Sequence, residues 1–208
     1  MIEEILGKNI DEFKNILKDI PKSPSKLENL KESAIKADSD GYWLEFGTWK
    51  GVSLNIINQY SKQNKVYSFD SFEGLPEDWN STNKKGMFNE KGKIPFIVEE
   101  GTEIVVGNFE DTLPKFVENH KIPKISFLHI DCDLYSSTKT VFNNLLPYFK
   151  GKCIIVFDEF VGYDGDEEHE YKAFKEFLQK IEDNIKNISI FSHTEEFFKP
   201  VTFIINFK

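Results

Sequence analysis

The chain has 208 residues, 39% hydrophobic and 14% aromatic, with 20 Phe, which suits one domain of ordinary size with a substantial core. Its net charge of −9, without a basic tract, excludes a nucleic-acid backbone as the expected partner. No apolar run has the length of a membrane span and the acidic, amphipathic start is no signal peptide, so a soluble cytoplasmic protein with no membrane partner is expected.

Apolar residues at three- and four-residue steps from Ile2 to Ile20 predict one amphipathic helix ending at Pro21, and a second helix follows over Ser25–Ala37. "GYWLEFG" reads as a buried strand ending at Gly47, Val52–Tyr60 as a helix, and "KVYSFD" as a strand ending at Asp70. From Ser71 to about Glu100 the pattern breaks, with Gly74, Pro76, Gly86, Gly92 and Pro95. A loop this long in a compact domain is usually functional, and a mobile cover is expected. "EIVVGNF" is a third strand, and "DTLPKFVENH" a helix capped by Asp111 or Thr112. "KISFLHID" is a fourth strand, followed by a helix capped by Ser136 or Ser137 and running to about Tyr148. "KCIIVFDEF" is a fifth strand, Tyr171–Ile185 a helix, and "NISIFSH" and "VTFIINF" close the chain as two strands.

Alternating strands and helices imply a parallel sheet covered on both faces, and the last two strands suit an antiparallel hairpin at its edge. Ligands bind such sheets beyond the carboxyl ends of the strands. Those ends are Gly47, Asp70, Gly107-Asn108, Asp131 and Asp158-Glu159, all small or polar. Gly47 and Gly51 open the first strand-to-helix turn, where bare backbone and free N–H groups can meet a ligand. The dinucleotide fingerprint G-x-G-x-x-G is absent, which counts against NAD or FAD. Asp70 lies about 20 residues past the glycine turn, the spacing of a ribose-binding acid.

In "HIDCDLYSST", alternation puts Asp131 and Asp133 on one face and Cys132 on the other. Asp158 and Glu159 end the next strand. Carboxylates converging from neighbouring strands repel one another unless a cation joins them, and an all-oxygen set suits Mg²⁺ or Ca²⁺ rather than zinc. Cys132 and Cys153 show neither zinc spacing nor a disulfide framework and are expected to be reduced.

"LEFGTWKGVSL", "SFDSFEGLPE", "VGNFEDTLP", "HIDCDLYSSTKTVF" and "IIVFDEF" occur in the order seen in macrocin-type O-methyltransferases, and residues 41–160 resemble that family. The resemblance implies a class I methyltransferase fold, a seven-stranded Rossmann-like sheet with a C-terminal antiparallel hairpin. It implies a domain over 41–208, with 1–40 as an N-terminal helical extension. It also implies S-adenosylmethionine and Mg²⁺ as cofactors, and as acceptor a hydroxyl of a sugar or glycosylated metabolite. Glu45, Gly47, Thr48 and the turn through Ser53 would hold the methionine part. Asp70 would bind the ribose beside Ser71 and Phe72, and Asn108 and Phe109 would lie near the adenine. Asp131, Asp158 and Glu159 would hold the metal, and Asp133 would be the general base. The family often has Asp-Asp where this chain has Asp158-Glu159, whose second carboxyl reaches one carbon further. A homo-oligomer is compatible with this reading.

His129 and Cys132 are expected to point away from the metal face, and His120, His169 and His193 to lie at the surface. Neither His169 nor Tyr135 is expected at the substrate. The acidic run "DGDEEHE" reads as a solvated helix start. Two rivals remain. "IDCDLY" also resembles the nucleophile strand of haloacid-dehalogenase-type phosphatases, although three strands precede it here. A non-catalytic cofactor-binding module would have no use for four rim carboxylates.

Overall fold

The computed structural model describes residues 1–208. Strands β1 (Tyr42–Phe46), β2 (Val66–Asp70), β3 (Thr102–Val106), β4 (Ile125–Ile130), β5 (Lys152–Val161), β6 (Ile185–His193) and β7 (Lys199–Phe207) form one sheet. Its order is β3-β2-β1-β4-β5-β7-β6. The first five strands run parallel, and β7 enters antiparallel between β5 and the edge strand β6. The expected sheet and its C-terminal hairpin are both present.

Helices α1 (Ile2–Leu6), α2 (Ile10–Ile16), α3 (Lys26–Lys36), α4 (Val52–Tyr60), α5 (Phe109–Asn119), α6 (Tyr135–Leu145) and α7 (Glu170–Ile181) cover both faces. Strand alternation divides the core between them. Leu44, Phe46, Phe69, Leu128, Ile130, Ile155 and Phe157 pack toward α1, α2, α5, α6 and α7. Trp43, Val66, Phe127, Ile154 and Val156 pack toward α3 and α4. β4 is buried at every position, as a central parallel strand must be. Residues 1–40 belong to this packing, with Phe13 and Ala34 fully buried in the two halves of the core.

Several boundaries depart from expectation. The first helix is two, because Gly7 has φ 67° and the Asn9 side chain accepts from the Glu12 N–H to start α2. β3 ends at Val106, and α5 starts after Asn108 rather than at Asp111 or Thr112. α6 starts after Leu134, while Ser136 bonds Glu77 instead of capping. α7 stops at Ile181, and Ile185 already belongs to β6. No helix is long and apolar enough to cross a membrane.

Gly47 holds the centre of the carboxyl-terminal rim. Its φ is 93°, and a Cβ there would lie 1.7 Å from the Asp131 carbonyl oxygen. The β1 and β4 ends approach this closely because the Asp131 N–H donates to the Phe46 carbonyl at 2.8 Å. Gly47→Ala is therefore expected to cost more than about 2 kcal/mol of unfolding free energy, since it adds backbone strain to a clash that only backbone movement relieves. A denaturant titration that finds a change below about 0.5 kcal/mol, the range of an innocuous surface substitution, contradicts this close approach.

Candidate active site

A cleft of about 290 Å³ opens over the carboxyl ends of β1, β2, β3, β4 and β5. That is the scale of small-ligand sites. Gly47, Thr48, Trp49, Asp70, Ser71, Asn108 and Phe109 line one half; Asp131, Asp133, Asp158 and Glu159 line the other. Residues of the 71–101 segment, Leu75, Pro76, Trp79 and Phe88, form a wall between them and solvent. This segment has no regular element but is held in place. Leu75 and Trp79 are buried against Leu134 and Tyr163, and the Leu75 N–H donates to the Met87 carbonyl at 2.9 Å.

Asp70 organises the first half. One carboxylate oxygen accepts from the N–H groups of Thr48 and Trp49, both at 2.8 Å, and the other from Phe72 at 2.7 Å. Anchored this way, Trp49 takes a positive φ of 43°. Its ring packs edge-on against Phe88, and its indole N–H donates to Glu90 at 3.0 Å, tying the turn to the wall. Glu45, Ser53 and Phe72 do not line the cleft. Glu45 is fully buried beneath the turn, accepting from Ser68 at 2.6 Å and lying 3.2 Å from the His129 ring nitrogen Nδ1. Ser68 in turn bonds Thr48. Phe72 is buried beside Asp70, and Ser53 lies partly exposed on α4.

The acidic half is built by two backbone irregularities. Asp133 has φ 63°, which bends the chain beyond β4 and returns its side chain toward Asp131. β5 shifts register against β7 between Phe157 and Val161, so the consecutive residues Asp158 and Glu159 both face the rim. Oxygens of Asp131, Asp133 and Glu159 lie within 4.8 Å of one another. Asp158 is engaged elsewhere. Lys26, the first residue of α3, places its ammonium 2.8 Å from both Asp158 and Glu159. The Lys26 backbone N–H is held at 3.0 Å by Glu196 from the β6–β7 connection. Sequence reasoning missed Lys26, since nothing local marks a lysine at a helix start as part of a distant acidic site.

These contacts decide the protonation tendencies. Burial, with the Asp158 charge second, pushes the Asp133 carboxyl up to about 7. Burial followed by Asp158 also pushes Asp131 and Glu159 well above the carboxylate range. Burial acts the same way on Asp158 and is the largest influence, but Lys26, the Glu159 hydrogen bond and His129 together overcome it and hold that carboxyl below its ordinary value. For Lys26, burial opposes the charge and the two carboxylates overcome it, raising the group above a free lysine. The donor set is all oxygen, Asp133 is only 7% exposed, and one Glu159 oxygen is buried without a partner. Such a set fits a hard divalent cation.

Two expectations about neighbouring residues fail. His193 is buried, and His169 and His120 are partly buried. The 164–170 run is no solvated helix start. Asp166 pairs with Lys14 at 2.8 Å, and Glu170 is fully buried near Asp133. These residues lie where α7 turns onto the core, which an acidic pattern alone does not reveal. Cys132 and Cys153 are buried and unpaired, with Cys132 turned toward Thr138.

A family model described as a methyltransferase domain matches residues 44–160, more than half of the chain. A curated relative from Streptomyces olivaceus, 8-demethyl-8-(2,3-dimethoxy-alpha-L-rhamnosyl)-tetracenomycin-C 4'-O-methyltransferase, is 24% identical; the match covers 71% of this chain and 65% of the relative, just under two thirds of its length. Among solved structures, the calicheamicin methyltransferase CalS11 is similar with a TM-score of 0.61 at 20% identity, over 92% of this chain and 79% of that one. The O-methyltransferase NovP also gives 0.61 at 20% identity, over 88% and 80%. TomG from Streptomyces achromogenes, solved in complex with SAM, gives 0.55 at 12%, over 94% and 85%. These likenesses identify a class I methyltransferase fold, and with the domain match they establish that the chain belongs to the methyltransferase-domain family.

Proposed function

We propose that the chain transfers a methyl group from S-adenosylmethionine to a hydroxyl of a sugar or sugar-containing metabolite, with Mg²⁺ at the acidic rim. The observation that carries this reading is the convergence of Asp131, Asp133 and Glu159 within 4.8 Å in the cleft that Gly47, Asp70 and Asn108 also line. The relative acting on a rhamnosyl group supports the choice of acceptor.

The cofactor supplies an electrophilic methyl group, and the cation makes an adjacent hydroxyl more acidic and fixes its direction. The chain's own residues bind, align and deprotonate. Gly47, Thr48 and Trp49 receive the methionine part on bare backbone, while Ser53 on α4 stands outside the cleft lining. Glu45 supports that turn from beneath, through Ser68 and Thr48. Asp70 faces the ribose with Ser71 beside it, while Phe72 stays buried behind them; Asn108 and Phe109 border the adenine. Asp131, Asp158 and Glu159 hold the cation, and Asp133 takes the hydroxyl proton. Residues 41–208 carry this chemistry, and residues 1–40 form a helical extension that lends it Lys26. The wall of Leu75, Pro76, Trp79 and Phe88 lets an acceptor pack against apolar surface while its hydroxyl reaches Asp133. Alignment of hydroxyl and methyl carbon is the main contribution of such a site. The phosphatase alternative is disfavoured because the Asp131 strand is the fourth of the sheet rather than the first.

Asp70→Ala tests the cofactor half. Removing three backbone hydrogen bonds releases the turn at Thr48 and Trp49 as well as the ribose contact. Calorimetric affinity for S-adenosylhomocysteine is expected to fall at least about 100-fold, the cost of one or two charge-assisted hydrogen bonds. Unchanged affinity would remove Asp70 from the cofactor site.

A further inference from the structure

Lys26 is the unexplained charge beside the cleft. It comes from α3, outside the strand-end turns that build the rest of the site. Its ammonium lies 2.8 Å from Asp158 and 2.8 Å from Glu159. Its backbone is fixed by the bond to Glu196 and by the Ser25 cap of α3, so the ammonium is directed there rather than drifting over the surface. The side chain keeps 26% of its exposure, enough for the ammonium to swing into solvent. In the same cluster, oxygens of Asp131, Asp133 and Glu159 lie within 4.8 Å of one another, and one Glu159 oxygen is buried without a partner.

We propose that Lys26 is a built-in counter-cation that holds Asp158 and Glu159 in the metal-free chain and must release Asp158 when a divalent cation binds, so that it sets the cation affinity of the site. The inference rests on the reading that the acidic rim takes such a cation. With Lys26 in place, the carboxylates left to converge are Asp131, Asp133 and Glu159, while Asp158 is occupied. Once ionised, the four carboxyl groups outweigh the single ammonium, so a divalent cation that displaces their protons is held, while its approach to Asp158 is opposed by the ammonium. The exchange keeps the carboxylates in place before the cation arrives, at the cost of some affinity for it. It makes Lys26 a residue that acts through Asp158 and Glu159, not one that touches the reacting atoms.

Two measurements test it on the full chain. Titration of Mg²⁺ by calorimetry at low ionic strength is expected to show Lys26→Met binding on the order of tenfold tighter than wild type, because a like charge beside the site is gone. In thermal unfolding without Mg²⁺, Lys26→Met is expected to melt lower than wild type and to recover more on Mg²⁺ addition. Equal or weaker Mg²⁺ binding by a folded Lys26→Met chain overturns the exchange while leaving the cation site intact. Should the variant not fold, the wild-type chain decides. The NMR signal of the Lys26 ammonium is expected to shift toward that of a solvated lysine as Mg²⁺ saturates the protein; a signal that stays in place while Mg²⁺ binds overturns the proposal. If Mg²⁺ binds neither chain, the reading of the rim as a cation site fails first, and the exchange fails with it.

Discussion

Asp133→Asn is expected to lower turnover on the order of 10²–10⁴-fold, the usual worth of general base catalysis, while the chain stays folded and binds S-adenosylhomocysteine as wild type does. The substitution keeps the shape of the side chain and removes its proton affinity. Asp133 suits the role because it lines the cleft beside Asp131 and Glu159 and because burial, then the Asp158 charge, push it up to about 7. A base with that proton affinity accepts a proton far more readily than an ordinary surface carboxylate. Its positive φ of 63° is the backbone strain that aims it, and Asn tolerates that conformation as well as Asp does. A variant that turns over near the wild-type rate would put the base elsewhere. A variant that loses Mg²⁺ affinity instead would make Asp133 a ligand, in keeping with its closeness to Asp131 and Glu159.

Removal of divalent cations is expected to abolish methyl transfer, and added Mg²⁺ to restore it. The same interaction has a readout without turnover. A carboxyl whose folded-state value lies above its unfolded value of about 3.9 costs stability as pH rises past the unfolded value, and the cost is complete once pH passes the folded value. For Asp133 that window runs from about 4 to about 7. Asp131 and Glu159 shift in the same direction and add to the cost. Asp158 works in the opposite sense, since its lowered value contributes stability that is lost only on acidification. A bound cation relieves the repulsion among ionised carboxylates, so Mg²⁺ is expected to raise the melting temperature clearly at pH 8 and little at pH 5. An equal Mg²⁺ effect at both pH values, or full methyl transfer in excess EDTA, would show that the acidic rim does not act through a cation.

The sheet was legible because buried parallel strands must be nearly continuous in apolar residues, and "ISFLHI" and "CIIVF" are. The strand ends were legible for the same reason, since the first polar residue after such a run marks the rim. What periodicity could not carry was the backbone irregularity that aims the side chains. Strict alternation would send Asp158 and Glu159 to opposite faces; the register shift in β5 brings both to Lys26. The pairing of Asp131 with Asp133 was expected from alternation, but it arises beyond β4, through a left-handed residue. Lys26, Trp79 and Glu170 were illegible for a different reason. Lys26 reaches the site from a segment distant in sequence, whereas Trp79 and Glu170 follow Asp70 and Glu159 in a loop and an acidic run whose side-chain directions no pattern gives until the fold assembles them. The break at Gly7 could have been read, because a glycine followed two residues later by a helix-capping Asn is a local stop and start signal.

The most direct measurement is methyl transfer itself. The intact chain would be incubated with S-adenosylmethionine carrying an isotopically labelled methyl group and with a panel of free sugars, nucleotide sugars and glycosides, with Mg²⁺ and with EDTA. The expected result is label recovered as a methyl ether on a sugar hydroxyl in the Mg²⁺ arm and none in the EDTA arm. Label delivered to nitrogen or sulfur, or to a sugar at equal rate in both arms, would contradict the assignment of a cation-dependent sugar O-methyltransferase, as would hydrolysis of phosphate esters by a chain that does not bind the cofactor.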